Sequence, residues 1–349
     1  MKKNKILLIL ILSVFCLSIN CGLLYANTEL PSGQYYTLIN ENNQIIHQTG
    51  LEVNVGDEYI TADNSRYRVN EIDGLTASCI YLGEETMPVL EYSSQRQAWI
   101  FKSGEVPAIS SNQPTIAIYH THSDESYVPS DGTESIAGRG GIYDVGESLA
   151  KQLKKLGFNV DYSENNHNPH DINAYTRSRR TAASLLKKNP DLILDVHRDA
   201  TPAEQYQTEV EGKEVTKVKL VIGRQNPKMQ TNLEFAKKIK ALMDKKEPGL
   251  SNGIFIGKST FNQDLHPRSV LIEVGAHTND KTEAEKGVEL FAQTLPAALG
   301  VTDTSEGGAA KKPLTGDSQG AGTTIAVILA VVAAAVGGFY FLNKGKLNR

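Results

Sequence analysis

TIAIYHTHSDESYVPSDGTES, residues 115–135, is the stretch around which the fold and the chemistry of this chain can be read. Its first five residues, Thr115 to Tyr119, are apolar and rich in β-formers, which predicts a buried strand. His120 and His122 follow where that strand should end, and Glu125 and Glu134 lie beyond in a loop of Ser, Asp, Pro and Gly. In an α/β sheet, ligands bind at the C-terminal ends of strands and in the loops after them. Imidazole and carboxylate delivered together there suit Zn²⁺. Alone, the stretch reads equally well as a polar surface loop, so the other strand ends have to decide.

Downstream of it the pattern alternates between strands and helices, the mark of an α/β layer fold. Residues 143–156 place Val145, Leu149, Leu153 and Leu156 on one helical side, closed by Gly157, and residues 158–162 read as the next strand. A second helix is expected over 175–188, closed by Asn189-Pro190. An apolar strand at 192–196 leads into His197-Arg198-Asp199. The Val-rich segment 208–222 reads as a hairpin around Glu211-Gly212. A helix at 228–245, a core strand at 269–274 and a last helix at 281–299 complete a twisted, mostly parallel sheet flanked by helices. Upstream, residues 28–108 break into short β-like pieces with no helical period, so a small separate β-rich domain is expected there.

Three strand ends therefore bring metal-competent or acid–base side chains: His120 and His122 with Glu125 and Glu134 beyond, His197, and Glu273 in Val-Leu-Ile-Glu-Val-Gly. Two histidines and one carboxylate leave a fourth tetrahedral position open, the pattern of catalytic rather than structural zinc. Which of His120 and His122, and which of Glu125 and Glu134, joins such a site stays open at this level. His197 alone also reads as an ordinary strand-end histidine. His-Arg-Asp occurs in protein kinases too, but no Gly-rich loop, Val-Ala-Ile-Lys or Asp-Phe-Gly accompanies it. Glu273 is harder to dismiss, because a charge in an apolar strand is costly unless it is paired or used. His277 is a candidate for substrate contact, His167 and His170 read as a turn, and His47 and His266 as surface. Arg177, Arg179 and Arg180 at a helix start read either as a carboxylate-binding cluster or as partners of nearby acids.

Composition narrows the setting. The chain has 349 residues, 40% hydrophobic and 22% charged, ordinary for a globular protein with a real core. Its formal charge is −4, but each end is basic; without Lys2, Lys3, Lys5, Lys344, Lys346 and Arg349 the remainder stands at −10. An acidic middle argues against nucleic acid as a partner. Cys16 and Cys21 fall in the N-terminal apolar segment, leaving Cys79 alone, so neither a disulfide nor a Cys-rich metal site is available in the middle. Residues 1–26 read as a signal peptide or signal anchor. The charge-free residues 323–342 have the length of a transmembrane helix, and the basic tail 343–349 is placed in the cytoplasm by the positive-inside rule. Residues 303–322 have linker composition. The expectation is a cell-membrane protein whose catalytic part faces outward.

The motifs taken together resemble the stage II sporulation protein P family. They are Tyr119-His120-Thr121-His122-Ser123-Asp124-Glu125-Ser126-Tyr127-Val128-Pro129, Arg177-Ser178-Arg179-Arg180, Leu194-Asp195-Val196-His197-Arg198-Asp199-Ala200, Phe261-Asn262-Gln263-Asp264-Leu265, and Leu271-Ile272-Glu273-Val274-Gly275-Ala276-His277-Thr278-Asn279. That family is similar to zinc-dependent N-acetylmuramoyl-L-alanine amidases. The resemblance implies an amidase-like catalytic domain over 110–301 and cleavage of the muramoyl–L-alanine amide of peptidoglycan, in sporulation or cell-wall remodelling. It implies Zn²⁺ held by His122, Glu134 and His197, with Glu273 as acid/base and Glu125 orienting a ligand. Other cell-wall hydrolases or sporulation membrane proteins are the partners it suggests. The competing readings are an endopeptidase acting on stem-peptide cross-links and a non-catalytic wall-binding scaffold.

Overall fold

Strand β10 (Leu192–Asp199) is buried at every position, and so is β15 (Ser269–Ala276) beside it. Unbroken burial of this kind belongs to central strands covered on both faces. The computed structural model describes residues 30–301, apart from 32, 94–97, 102–112 and 172. The expected export segment, linker, transmembrane stretch and basic tail lie outside the described residues. Among the described residues no helix is long and apolar enough to cross a membrane.

The opening stretch forms β8 (Thr115–Tyr119), and β9 (Asn159–Tyr162) pairs with it in parallel. On its other side β8 pairs in parallel with β10, which pairs in parallel with β15. Helices α1 (Val128–Asp131), α2 (Ile142–Lys155) and α3 (Ala174–Leu186) occupy the connections. Ala182 and Leu185 of α3 cover Ala117, Tyr119 and Ile193 on one face of the sheet. After β10 the chain makes the hairpin β11 (Gln207–Val210) and β12 (Lys213–Thr216). Its turn places Glu211 and Gly212 at φ 50° and 75°, the left-handed pair of a tight hairpin.

No crossover helix separates β10 from β13 (Val218–Gly223), so β13 enters from the rim where β10 and β15 end and runs antiparallel to β15. Helix α4 (Met229–Lys246) then carries the chain to β14 (Ser251–Gly257), parallel to β13. The last helix, α5 (Lys281–Ala298), starts with the Asp280 carboxylate capping the Thr282 amide at 2.8 Å.

The amino-terminal strands differ from the sequence expectation. Strands β1 (Tyr36–Ile39), β2 (Ile45–Thr49), β3 (Glu58–Ile60), β4 (Ser65–Asp73) and β5 (Thr76–Glu84) do not stand apart as a separate layer. They continue the same sheet in the order β2-β1-β5-β4-β3-β14-β13-β15-β10-β8-β9. β3 makes the join by pairing antiparallel with β14. The sheet is therefore mixed rather than mostly parallel, and residues 30–106 and 113–301 fall in one unit. Strands β6 (Leu90–Ser93) and β7 (Ala98–Phe101) form a hairpin of their own.

A shared core explains why the join holds. Leu38, Leu51, Val53, Tyr59, Val69, Ala77 and Cys79 pack with Tyr175, Val221, Phe255, Phe261 and Leu271. Each fully buried aliphatic or aromatic side chain in such a cluster contributes about 1.5–3 kcal/mol. At the seam Gly253 sits at φ +78°, and a Cβ there would lie 2.2 Å from the Ile60 carbonyl oxygen. Gly253→Ala is therefore expected to cost at least about 2 kcal/mol, from left-handed strain plus overpacking. Denaturant unfolding measures that loss, and a variant as stable as the parent would contradict this seam.

Candidate active site

Strand register decides which side chains meet. His197 of β10 is paired with Glu273 of β15, and Glu273 is paired across its other edge with Lys219 of β13. Register partners share a face of the sheet, so these three form one row at the rim. A second row lies next to it, Asp195 beside Leu271 and Leu271 beside Val221. β13 brings its amino-terminal end to the rim where β15 and β10 end, which is how a lysine joins the row.

The loop after β8 supplies the rest. Glu125 turns back on His122, with its amide 3.4 Å from the His122 carbonyl, and bridges to Ser135 in an antiparallel contact. Ser126 N–H donates to the Glu134 carbonyl at 2.9 Å, and Ile136 N–H to the Asp124 carbonyl at 2.8 Å. Gly140 passes so close that a Cβ would lie 2.2 Å from the Glu125 carbonyl oxygen. This folded loop puts Glu125 Oε1 3.0 Å from His122 Nδ1 and 3.1 Å from His197 Nδ1. All three residues are buried, and one ligand atom from each lies within 4.8 Å of the other two. A tetrahedral ion with bonds of about 2.0–2.1 Å spaces its ligands about 3.3 Å apart, so this donor set fits zinc.

Expectation and structure differ at one donor. Glu134 had been expected on the metal with Glu125 behind it; the structure gathers Glu125 with the two histidines and leaves Glu134 outside that group. The reason is local. Ser135, not Glu134, is the bridge partner of Glu125 in the folded loop. Glu134 contributes its backbone carbonyl, which accepts from Ser126 and from the Arg198 guanidinium at 3.2 Å. His120 also lies outside the group. Its ring is satisfied by the Val196 carbonyl at 2.8 Å and the Tyr162 hydroxyl at 3.0 Å, and burial lowers its pKa to about 4.

Electrostatics sharpen the contrast between His197 and Glu273. Burial disfavours charge on His197, but the Asp195 carboxylate and then Glu125 outweigh it and raise its pKa well above the ordinary range. Asp195 is itself fixed by the Thr121 amide at 2.8 Å and the Thr121 hydroxyl at 2.5 Å. Its Oδ1 lies 3.0 Å from His197 Nε2, within ion-pair reach, though this nitrogen makes no hydrogen bond of good geometry. A carboxylate behind a ligating histidine holds its orientation and raises its basicity. Glu273 has no such support. Both its oxygens are buried without a hydrogen-bond partner. Burial, then the Asp199 charge, pushes its pKa well above the usual carboxylate range, against the pull of Lys219 and His197. It is a carboxyl of raised proton affinity at the row's centre, the property that suits a group which takes up and returns a proton.

The other candidates are placed as follows. His170 stacks on His122 at 3.9 Å and pairs with Asp124 at 3.1 Å. His167, expected in a turn, is buried between the His120 carbonyl and the Thr181 hydroxyl, each at 2.7 Å. His47, expected on the surface, is buried against Tyr59, with ring centroids 4.1 Å apart. His266 is partly buried, with Nδ1 3.0 Å from the Arg268 carbonyl. Arg177 pairs with Asp171 at 2.7 Å and Arg179 with Asp264 at 2.6 Å, so internal acids engage both, while Arg180 is exposed. His277 donates its amide to the Asp199 carbonyl at 2.9 Å and buries an Nδ1 that has no partner. Lys219 escaped the sequence reading altogether; a lysine flanked by Val218 and by Leu220-Val221-Ile222 was the signal available.

Comparison with known proteins gives three findings. The family model described as "Stage II sporulation protein P (SpoIIP)" matches residues 33–296. A stage II sporulation protein P of Bacillus subtilis (strain 168) is 28% identical over 203 residues, which is 53% of this chain and 51% of that protein. The chain thus spans about half the length of that relative. Among solved structures, the apo N-acetylmuramyl-L-alanine amidase Ami1 of Mycobacterium abscessus matches with a TM-score of 0.37 at 14% identity, over 53% of this chain and 96% of that one. An N-acetylmuramoyl-L-alanine amidase of Clostridium difficile 630 matches with a TM-score of 0.34 at 16% identity, over 56% of this chain and 100% of that one.

Proposed function

The chain belongs to the stage II sporulation protein P family, and from that premise we propose that it is a zinc-dependent peptidoglycan hydrolase cleaving the amide between N-acetylmuramic acid and L-alanine. One observation carries the reading: an unpartnered buried Glu273 in register with His197, itself converging with His122 and Glu125. Zinc, when bound there, would polarise the scissile carbonyl and make water nucleophilic near neutral pH. His122, Glu125 and His197 would hold it, and Asp195 would keep the His197 ring oriented. This ligand set replaces the Glu134 of the sequence expectation.

Glu273 takes a proton as water attacks and returns it to the departing L-alanine nitrogen, which needs a carboxyl close in pKa to the working pH. The raised pKa of Glu273 moves it in that direction. Arg198 lies against Glu125, its Nη1 4.0 Å from Oε1, and helps to compensate the carboxylate. The sequence segments at 1–26 and 323–342 support a place for this domain on the outer face of the cell membrane, as part of the same proposal.

Digestion of purified muropeptides tests the bond assignment. An amidase exposes the amino terminus of L-alanine and frees muramic acid from the stem peptide. Cleavage only between stem peptides would assign the endopeptidase activity instead. Metal-loaded protein that sediments with sacculi and releases nothing would make the domain a wall-binding scaffold.

A further inference from the structure

Lys219 is fully buried and faces Glu273 from β13. Its ammonium forms an ion pair with Asp199 and donates to the Thr49 hydroxyl at 3.0 Å. Asp199 also accepts from the Gly50 amide, the Ala200 amide and the Tyr206 hydroxyl, each at 2.8 Å. Gly50 is held so tightly that a Cβ there would lie 2.5 Å from Ala200 Cβ. The end of β2 is thereby clamped onto the strand that carries His197, across 149 positions of sequence.

An ion pair of this kind is a poor device for stability alone. Well-packed apolar residues in place of a buried pair are often as stable or more so. The neighbouring carboxyl, by contrast, has no hydrogen bond of its own. The side chains in register with it on the two neighbouring strands are Lys219 of β13 and His197 of β10. Lys219 is thus the cation that faces Glu273 without belonging to the zinc-ligand group.

We propose that Lys219 is a positioning residue for Glu273, and that Thr49 and Gly50, by holding the Lys219–Asp199 pair in place, make the amino-terminal strands part of the working site. The inference rests on the acid–base reading of Glu273. It implies that residues 115–301 by themselves lack a complete site, although they contain every proposed ligand and the acid.

Three variants of the full chain test it, read by kcat and KM on soluble muropeptides, zinc content and thermal stability. Lys219→Met strands Asp199 and is expected to lose both stability and turnover. Lys219→Met/Asp199→Asn leaves no stranded charge and is expected to regain stability. Its kcat stays down on the order of 10- to 100-fold, with KM and zinc content unchanged. Recovery of kcat together with stability would show that the pair only ties β2 to the sheet. Thr49→Val is nearly isosteric and removes one bond to Nζ. It is expected to lower kcat several-fold at unchanged KM, and a wild-type kcat would overturn the proposal even if the double variant did not fold. Glu273→Gln, assayed alongside, separates the two levels. Normal turnover by Glu273→Gln defeats the acid–base reading itself. An inactive Glu273→Gln beside a double variant with wild-type kcat defeats only the positioning role.

Discussion

Glu273→Gln keeps its zinc, loses about 10²–10⁴-fold in kcat and is no less stable than the parent at pH 8: this is the first expected result. The loss follows from the chemistry assigned to the side chain, because an amide of the same shape neither accepts nor returns the proton. Retention of metal follows from geometry, since Glu273 is outside the group formed by His122, Glu125 and His197. The stability outcome follows from linkage. In the metal-free protein, burial and the Asp199 charge raise the pKa of Glu273, so the folded state holds this proton more tightly than the unfolded state. Its contribution is present below the ordinary carboxylate pKa and is lost as pH rises through the folded value. Glutamine has no such dependence, so the variant gains on the parent as pH rises. Atomic absorption, single-turnover assays and thermal melts at pH 5 and pH 8 check the three parts. Metal loss equal to that of a ligand variant would contradict the separation of roles.

His197→Ala should instead empty the metal site and unfold the apo protein more easily. Removing even the group behind a ligating histidine weakens metal binding about 10- to 100-fold, so removal of the ligand itself should exceed that. The variant also leaves Glu125 and Asp195 buried without the imidazolium between them. Breaking a buried pair from one side costs about 3–5 kcal/mol. Its pH signature is opposite to an acid with a depressed pKa. The raised pKa of His197 means that its contribution to the apo fold is complete below the ordinary imidazole value and fades as pH rises through the folded one. Zinc competes with that same proton, so affinity in the parent should strengthen with pH. Chelator competition at pH 6 and pH 8 measures this, and a pH-independent affinity would argue against His197 as a ligand.

Much of the fold was legible because burial leaves a periodic mark. The helices expected over 143–156, 175–188, 228–245 and 281–299 correspond to α2, α3, α4 and α5 within one or two residues at most ends. Leu-Ile-Leu-Asp-Val and Val-Leu-Ile-Glu-Val announced central strands, and His197 directly after the first and Glu273 within the second stood out against apolar neighbours. The amino-terminal pieces were legible as strands but not as members of the same sheet. Pairing of β3 with β14 depends on matching two edges nearly 200 residues apart, and neither edge states its partner.

The sequence by itself determined the four long helices and most of the strands, though not β14 or the place of β13 in the main sheet, that a metal-competent set stands at the strand ends, and which family the chain resembles. Tertiary structure alone decided that Glu125 rather than Glu134 joins His122 and His197, that His47 is buried, and that Lys219 faces Glu273. The physical reason is the same in each case. A residue's environment along the chain fixes its local conformation, whereas its neighbours across the sheet depend on register and strand direction, which are settled only when distant edges pair.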